Sequence, residues 1–350
     1  MKLCRAAKLC FAIAAAGLFA MAASPVAEAR PKPPPIIIPP PMPPPMPDVG
    51  LGARLIDDAA VYETYVTQTS AISPAAFADA QGVADALRTG AAYEPGQLRR
   101  GAIAYAAAAA LDDTAFVDAV RRAGDTPEAR YAIVAKIFAD PNNVLAFADA
   151  HAAAALAKAA LDQSGRRIFD SGDRVRLAAY SVQHQPWSLL PVADPGGRAA
   201  AVKQLSSAFR QPSSQAHADV DRMIVGEPVS PASAAPPPYS ALVIRAVALA
   251  ALAAIGQAGD DDVSHLGWLT DDYYLDHCLA EAKLSLYECI AVAKPNYEDM
   301  FCLGQHAIKD TGGCLVKSAW STVPTDVQTH DMTIPAARIH KGPTRKRRRT

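Results

Sequence analysis

The sequence predicts an all-α protein: an irregular, alanine-rich helical bundle ending in a disulfide-stapled helical hairpin, with a proline-rich N-terminal spacer and a disordered basic tail. Three observations carry this. The chain holds 75 alanines among 350 residues, a residue that favours helix and buries little surface. Helix start and stop signals recur from Leu51 to about Val225, where runs of Val, Ile and Thr with a period of two are absent. Finally, Cys278, Cys289, Cys302 and Cys314 fall symmetrically about one predicted turn.

At the N-terminus, Lys2, Arg5 and Lys8 precede the apolar run Leu9 to Ala23, and Ala27-Glu28-Ala29 places small residues at the positions a signal peptidase reads. Residues 1–29 are therefore expected to be a secretory signal peptide. Cys4 and Cys10 lie upstream of the cleavage point, so neither is placed for lipid modification. Residues 30–49 form a spacer, with 11 prolines among the 17 residues from Pro31 to Pro47. Proline removes backbone donors and fixes φ, which gives a semi-rigid polyproline II segment of about 50 Å. Its Pro-x-x-Pro content also makes it a candidate ligand for an aromatic-lined groove on a protein partner.

Residues 50–225 read as a helical domain. Ser73-Pro74, Asp112-Asp113-Thr114 and Thr126-Pro127-Glu128 supply N-caps or proline at the first helical position. Gly90, Gly124, Asp140-Pro141, Gly165, Gly172 and Pro186 read as stops, so helices are expected at Pro74–Thr89, Gln97–Leu111, Pro127–Ala139 and Val144–Gln163. Phe-x-Asp-Ala recurs at Phe77, Phe116 and Phe147, but separations of 39 and 31 residues argue against a repeat array. A second proline-rich joint, residues 226–239, precedes an apolar helix from Ser240 to Ala258. Only ten uninterrupted apolar residues, six of them alanine, lie between Arg245 and Gln257, which suits a core helix better than a membrane span.

Within the cysteine-containing module, residues 240–322, a helix is expected from a Thr270-Asp271-Asp272 start to about Ala293, broken by Lys294-Pro295, with Asn296 capping the next helix. Both Cys289/Cys302 and Cys278/Cys314 are centred on residues 295 to 296, as antiparallel partners across that turn would be. Cys278 and Cys289 are 11 residues apart on one helix, on the same side but about 16 Å apart, too far to bond each other. A nested ladder is expected, Cys289 with Cys302 and Cys278 with Cys314. Cys302 and Cys314 are 12 residues apart, which leaves them about 120° out of phase on a continuous helix, so the helix is expected to end near Asp310 at Gly312-Gly313. The layout resembles the twin-cysteine helical hairpins of oxidising compartments, with longer and less regular spacing.

Charge and motifs narrow the function. With 34 basic and 35 acidic side chains, binding to nucleic acid by bulk charge is excluded, but the distribution is asymmetric. Residues 30–340 carry 25 basic and 34 acidic side chains, and Lys341, Arg345, Lys346, Arg347, Arg348 and Arg349 then close the chain. After export, the anions open to this tail (residues 323–350) are lipid head groups, lipopolysaccharide and polysaccharide. Gly-x-Ser-x-Gly, His-Glu-x-x-His and phosphate-binding glycine loops are absent. The one catalytic candidate is Glu63, a carboxyl among Tyr62 and Tyr65 that would serve as a general acid on cell-wall glycan if its pKa were raised. His277 and His306, beside Cys278 and four after Cys302, are candidate zinc ligands. Trp268, Tyr273, Tyr274 and Tyr287 are expected to pack as the core of the stapled module. The expectation is an exported, non-enzymatic envelope or secreted protein without a cofactor. A periplasmic glycan-acting enzyme and a small-ligand or metal binder are the alternatives.

Overall fold

A computed structural model of the chain describes residues 46–225 and 237–322. The signal peptide, the spacer up to residue 45, residues 226–236 of the second proline-rich joint and the basic tail from residue 323 lie outside the described residues. In chain order the helices are α1 (Ala53–Ser70), α2 (Ala80–Ala91), α3 (Pro95–Leu111), α4 (Thr114–Ala123), α5 (Pro127–Ala139), α6 (Ala150–Ser181) and α7 (Pro186–Leu189). After them come α8 (Pro195–Ser207), α9 (Ser214–Val225), α10 (Ala241–Ala254), α11 (Val263–Leu266), α12 (Tyr273–Val292), α13 (Asn296–Cys302) and α14 (Thr311–Ala319). A π-helical stretch, Leu303–Asp310, joins α13 to α14 without a break. Among the described residues there is no β-strand, only an isolated bridge between Pro191 and Pro295.

Local chemistry sets the helix starts. Asp79, Asp113, Thr126, Ser240 and Asp272 each accept a hydrogen bond from a first-turn amide, and Glu94 accepts two, from Gly96 and Gln97. The helix expected from Pro74 is divided accordingly, into a 3₁₀ turn at Pro74–Ala76 and α2 behind its Asp79 cap. Asp272 rather than Thr270 caps α12, because its carboxylate reaches the amide of Leu275 at 2.9 Å. Asn296 is the first residue of α13 and not its cap. Its side-chain amide instead donates to the carbonyls of Trp187 and Leu190, tying the segment after α7 to the α12–α13 turn.

The largest departure from the sequence reading is α6, a single helix of 32 residues that passes straight through Gly165 and Gly172. These glycines do not end the helix; they let another backbone touch it. A Cβ on Gly165 would meet the amide nitrogen of Val316 at 2.8 Å, and one on Gly312 would meet the carbonyl oxygen of Gly165 at the same distance. About two helical turns along, Gly172 and Gly304 face each other in the same way. The segment from Gly304 to Val316 therefore runs antiparallel to α6 in backbone-to-backbone contact. Each interior glycine costs about 1 kcal/mol of helix propensity, offset by the dense packing that the missing side chains permit.

Alanine has the same use at the centre. On α3 and α10 nearly every side is buried, the pattern of a helix enclosed by others. The apolar segment expected from Ser240 to Ala258 is thus a core helix, and it stops at Ala254, with Gly256 taking a left-handed φ of 68° just beyond. Among the described residues, no helix is long and apolar enough to cross a membrane. One hydrophobic cluster runs from Leu51 to Ala319, so segments 50–225 and 240–322 share a core.

Candidate functional site

Helix α12 is joined to the continuous α13–π–α14 helix by both disulfides, Cys289–Cys302 to α13 near the turn and Cys278–Cys314 to α14, each with its Cα atoms 5.7 Å apart. The helix expected to end near Asp310 instead continues to Ala319, and the phase problem is solved within it. A π turn takes up roughly one residue more than an α turn. The 12-residue spacing of Cys302 and Cys314 across the π stretch therefore rotates the chain about as far as 11 residues of α-helix would, and 11 is the spacing of Cys278 and Cys289. Both thiol pairs face each other as a result.

Just before the tail, α14 is fastened three times. Cys314 bonds Cys278, Gly312 packs on the backbone of α6, and Trp320, the next residue after α14, is held at one edge and on one face of its ring. The indole Nε1 of Trp320 donates to Asp162 at 2.8 Å while the Lys158 ammonium sits 3.1 Å from the ring centre. The outer disulfide borders one cavity of about 240 Å³ with Glu281 and Lys317, and another of about 550 Å³ with Tyr239 and Trp320.

Glu63 lies on α1, 8% exposed, where it accepts a hydrogen bond from Thr67 at 2.9 Å and pairs with Arg167 at 3.6 Å. The cavities described here are lined by other residues. His277 is exposed, stacked on Tyr273 and paired with Glu281, while His306 Nδ1 lies 2.8 Å from the Asp310 carboxylate. Cys278 and Cys302, the thiols that would complete a zinc set, are spent in disulfides. Among the described residues no three His, Cys, Asp or Glu side chains converge as a metal set. Tyr273 and Tyr274 do not form the core of the hairpin: both are exposed, because Asp272 starts the helix with them on its outer face, and Trp268 packs instead against Phe138.

Two buried lysines went unnoticed in the sequence. Lys283 donates to the carbonyl of Ala91 at 2.5 Å and to Ser206 Oγ at 3.0 Å, with its ammonium over the Tyr93 ring. Burial pushes its pKa well below the usual lysine value, with Glu94 opposing. A serine beside a lysine of lowered pKa has the elements of a nucleophile and base, yet both are enclosed and neither borders the cavities above. Lys309 reaches Asp173 at 2.5 Å, and Arg176 meets the same carboxylate at 2.9 Å. Burial pushes Asp173 up, but hydrogen bonds and charge from Lys309 and Arg176 outweigh it and hold the pKa below the ordinary value.

The cavity of greatest chemical interest is a cleft of about 380 Å³ between α2, α8 and α13. Its floor is Arg198, which pairs with Asp299 and donates to the carbonyl of Ile290, both at short range. Burial raises the Asp299 pKa and Arg198 partly counters it. At the mouth stand Arg88, paired with Asp85, and Asp194, which caps α8 from a left-handed backbone with φ 42°. The rim is closed where the Val192 amide donates to the carbonyl of Lys294 at 2.7 Å. Asp194-Pro195-Gly196-Gly197, a cap, a first-turn proline and two glycines, was the available sequence signal. Nothing in the sequence said that Arg198 and Asp299 would meet across 101 residues.

No protein-family model, curated protein or solved structure matches the chain.

Proposed function

We propose that this is an exported, non-enzymatic protein of the cell envelope or its surroundings, a rigid helical body that presents a basic tail to an anionic surface. The observation that carries the reading is the triple fastening of α14 immediately before the tail: a disulfide, a glycine-mediated helix contact and the pinned Trp320. A load applied at residue 323 would meet a helix braced by all three. Two disulfides suit an oxidising compartment, and the expected signal peptide would deliver the chain to one. In this reading the proline-rich segment spaces the body from its surroundings or meets a protein partner. Lys341, Arg345, Lys346, Arg347, Arg348 and Arg349 contact lipid head groups, lipopolysaccharide or polysaccharide.

The test compares the full chain with a variant lacking residues 341–350, measuring partitioning onto isolated envelopes as ionic strength is raised. The full chain should bind at low salt and release at high salt, and the truncated chain should stay in solution. Partitioning that is insensitive to both salt and truncation would contradict the proposal.

A further inference from the structure

The cleft between α2, α8 and α13 has the construction of a ligand site. Arg198 is nine-tenths buried in its floor, and although its terminal nitrogens are bonded to Asp299 and Ile290, its Nε–H has no hydrogen-bond partner. A buried donor left unpaired costs free energy that a bound acceptor would recover. At about 380 Å³ the space suits a small metabolite, and Leu87 and Val202 add apolar surface to its lining.

Charge defines the class of ligand. Arg198 and Asp299 neutralise each other as a buried ion pair, and Arg88 and Asp194 add one charge of each sign to the same space, so neither a bare anion nor a bare cation meets a matched lining. A molecule carrying both charges meets a complement for each. Asp194 is held at the mouth in a left-handed backbone that a non-glycine residue adopts at a cost, a kind of strain concentrated at binding sites. We infer that this cleft binds a small zwitterion, a free amino acid or a short peptide, with its carboxylate toward Arg88 and the Arg198 Nε–H and its ammonium toward Asp194. The inference is independent of the envelope reading above.

The experiment uses the oxidised full chain. Thermal melting and amide chemical shifts are followed during titration with glycine, leucine and glycyl-leucine, with butyrate and butylamine as the two one-charge halves. A zwitterion should raise the melting temperature saturably and shift resonances around Asp194 and Arg198, while neither half does so. Arg88→Gln, at an exposed rim position, should weaken binding about tenfold, the loss of one charge-assisted hydrogen bond. Ala201→Trp, which fills the cleft, should abolish it. No response to any of the three zwitterions, a response to butyrate equal to that of leucine, or unchanged affinity in Arg88→Gln would each overturn the inference.

Discussion

Cys302 and Cys314 lie on one unbroken helix and both reach α12, although their 12-residue spacing would point them about 120° apart on regular α-helix. The π-helical stretch between them removes the difference. It does the same for the glycines, since Gly304 and Gly312 are eight residues apart yet face Gly165 and Gly172, which are seven apart. Deleting Gln305 should therefore convert the stretch to α-helix and leave both disulfides and the glycine contacts in place. Inserting one alanine after Leu284 in α12 should instead turn Cys278 away from Cys314. Mass spectrometry of non-reduced peptides distinguishes the two: a lost outer bridge in the deletion, or a retained one in the insertion, contradicts this role.

The backbone contact between α6 and the C-terminal helix predicts that side-chain volume there is intolerable. Gly312→Val pushes into the backbone of Phe169 and Gly165 and should cost about 3 kcal/mol or more, read from denaturation midpoints. Gly267, which has open space around it and an α-helical backbone, is the control: Gly267→Ala should be neutral or stabilising by up to about 1 kcal/mol.

How far the sequence could be read follows from which signals are local. The nested cysteine pairing was legible because symmetry about a proline-broken turn is a property of spacing. Asp113 and Thr126 were legible as caps because a cap is decided within three residues. Gly165 and Gly172 were misread because a glycine that ends a helix and one that admits a neighbouring backbone look alike until the neighbour, some 140 residues later, is in place. The Arg198–Asp299 pair and the buried Lys283 share that difficulty, as their partners come from distant elements. The π stretch left one trace, the mismatch of 11 and 12 between cysteine spacings, which the sequence reading assigned to a helix end.

Lys283 makes stability depend on pH in a defined direction. Its pKa in the folded protein lies below the value of about 10.4 in an unfolded chain. Between the two values the unfolded chain holds a proton that the folded one lacks, so this residue's contribution to stability rises with pH through that window. Tyr62, Tyr65, Tyr93 and Tyr105 act oppositely: burial raises their pKa values, and the stability they contribute falls as pH climbs past about 10. Lys283→Met should retain the tyrosine-driven loss while removing the rise. Parallel pH–stability curves for the two proteins would contradict the assignment.

The two bridges differ in loop length, 36 residues for Cys278–Cys314 and 13 for Cys289–Cys302. On chain entropy the outer is worth about 4 kcal/mol and the inner about 3 kcal/mol. Replacing Cys278 and Cys314 together by serine should thus lower the denaturation midpoint more than replacing Cys289 and Cys302. The reverse order would mean that native-state contacts, rather than restriction of the unfolded chain, set the contribution of each bridge.

Non-reducing peptide mapping of the protein recovered from cells that produce it addresses the disulfide-stapled body most directly. Peptides joined as Cys278–Cys314 and Cys289–Cys302, with no free thiol among the four, are the expected result. Four reduced cysteines, or a bridge joining Cys278 to Cys289, would contradict it.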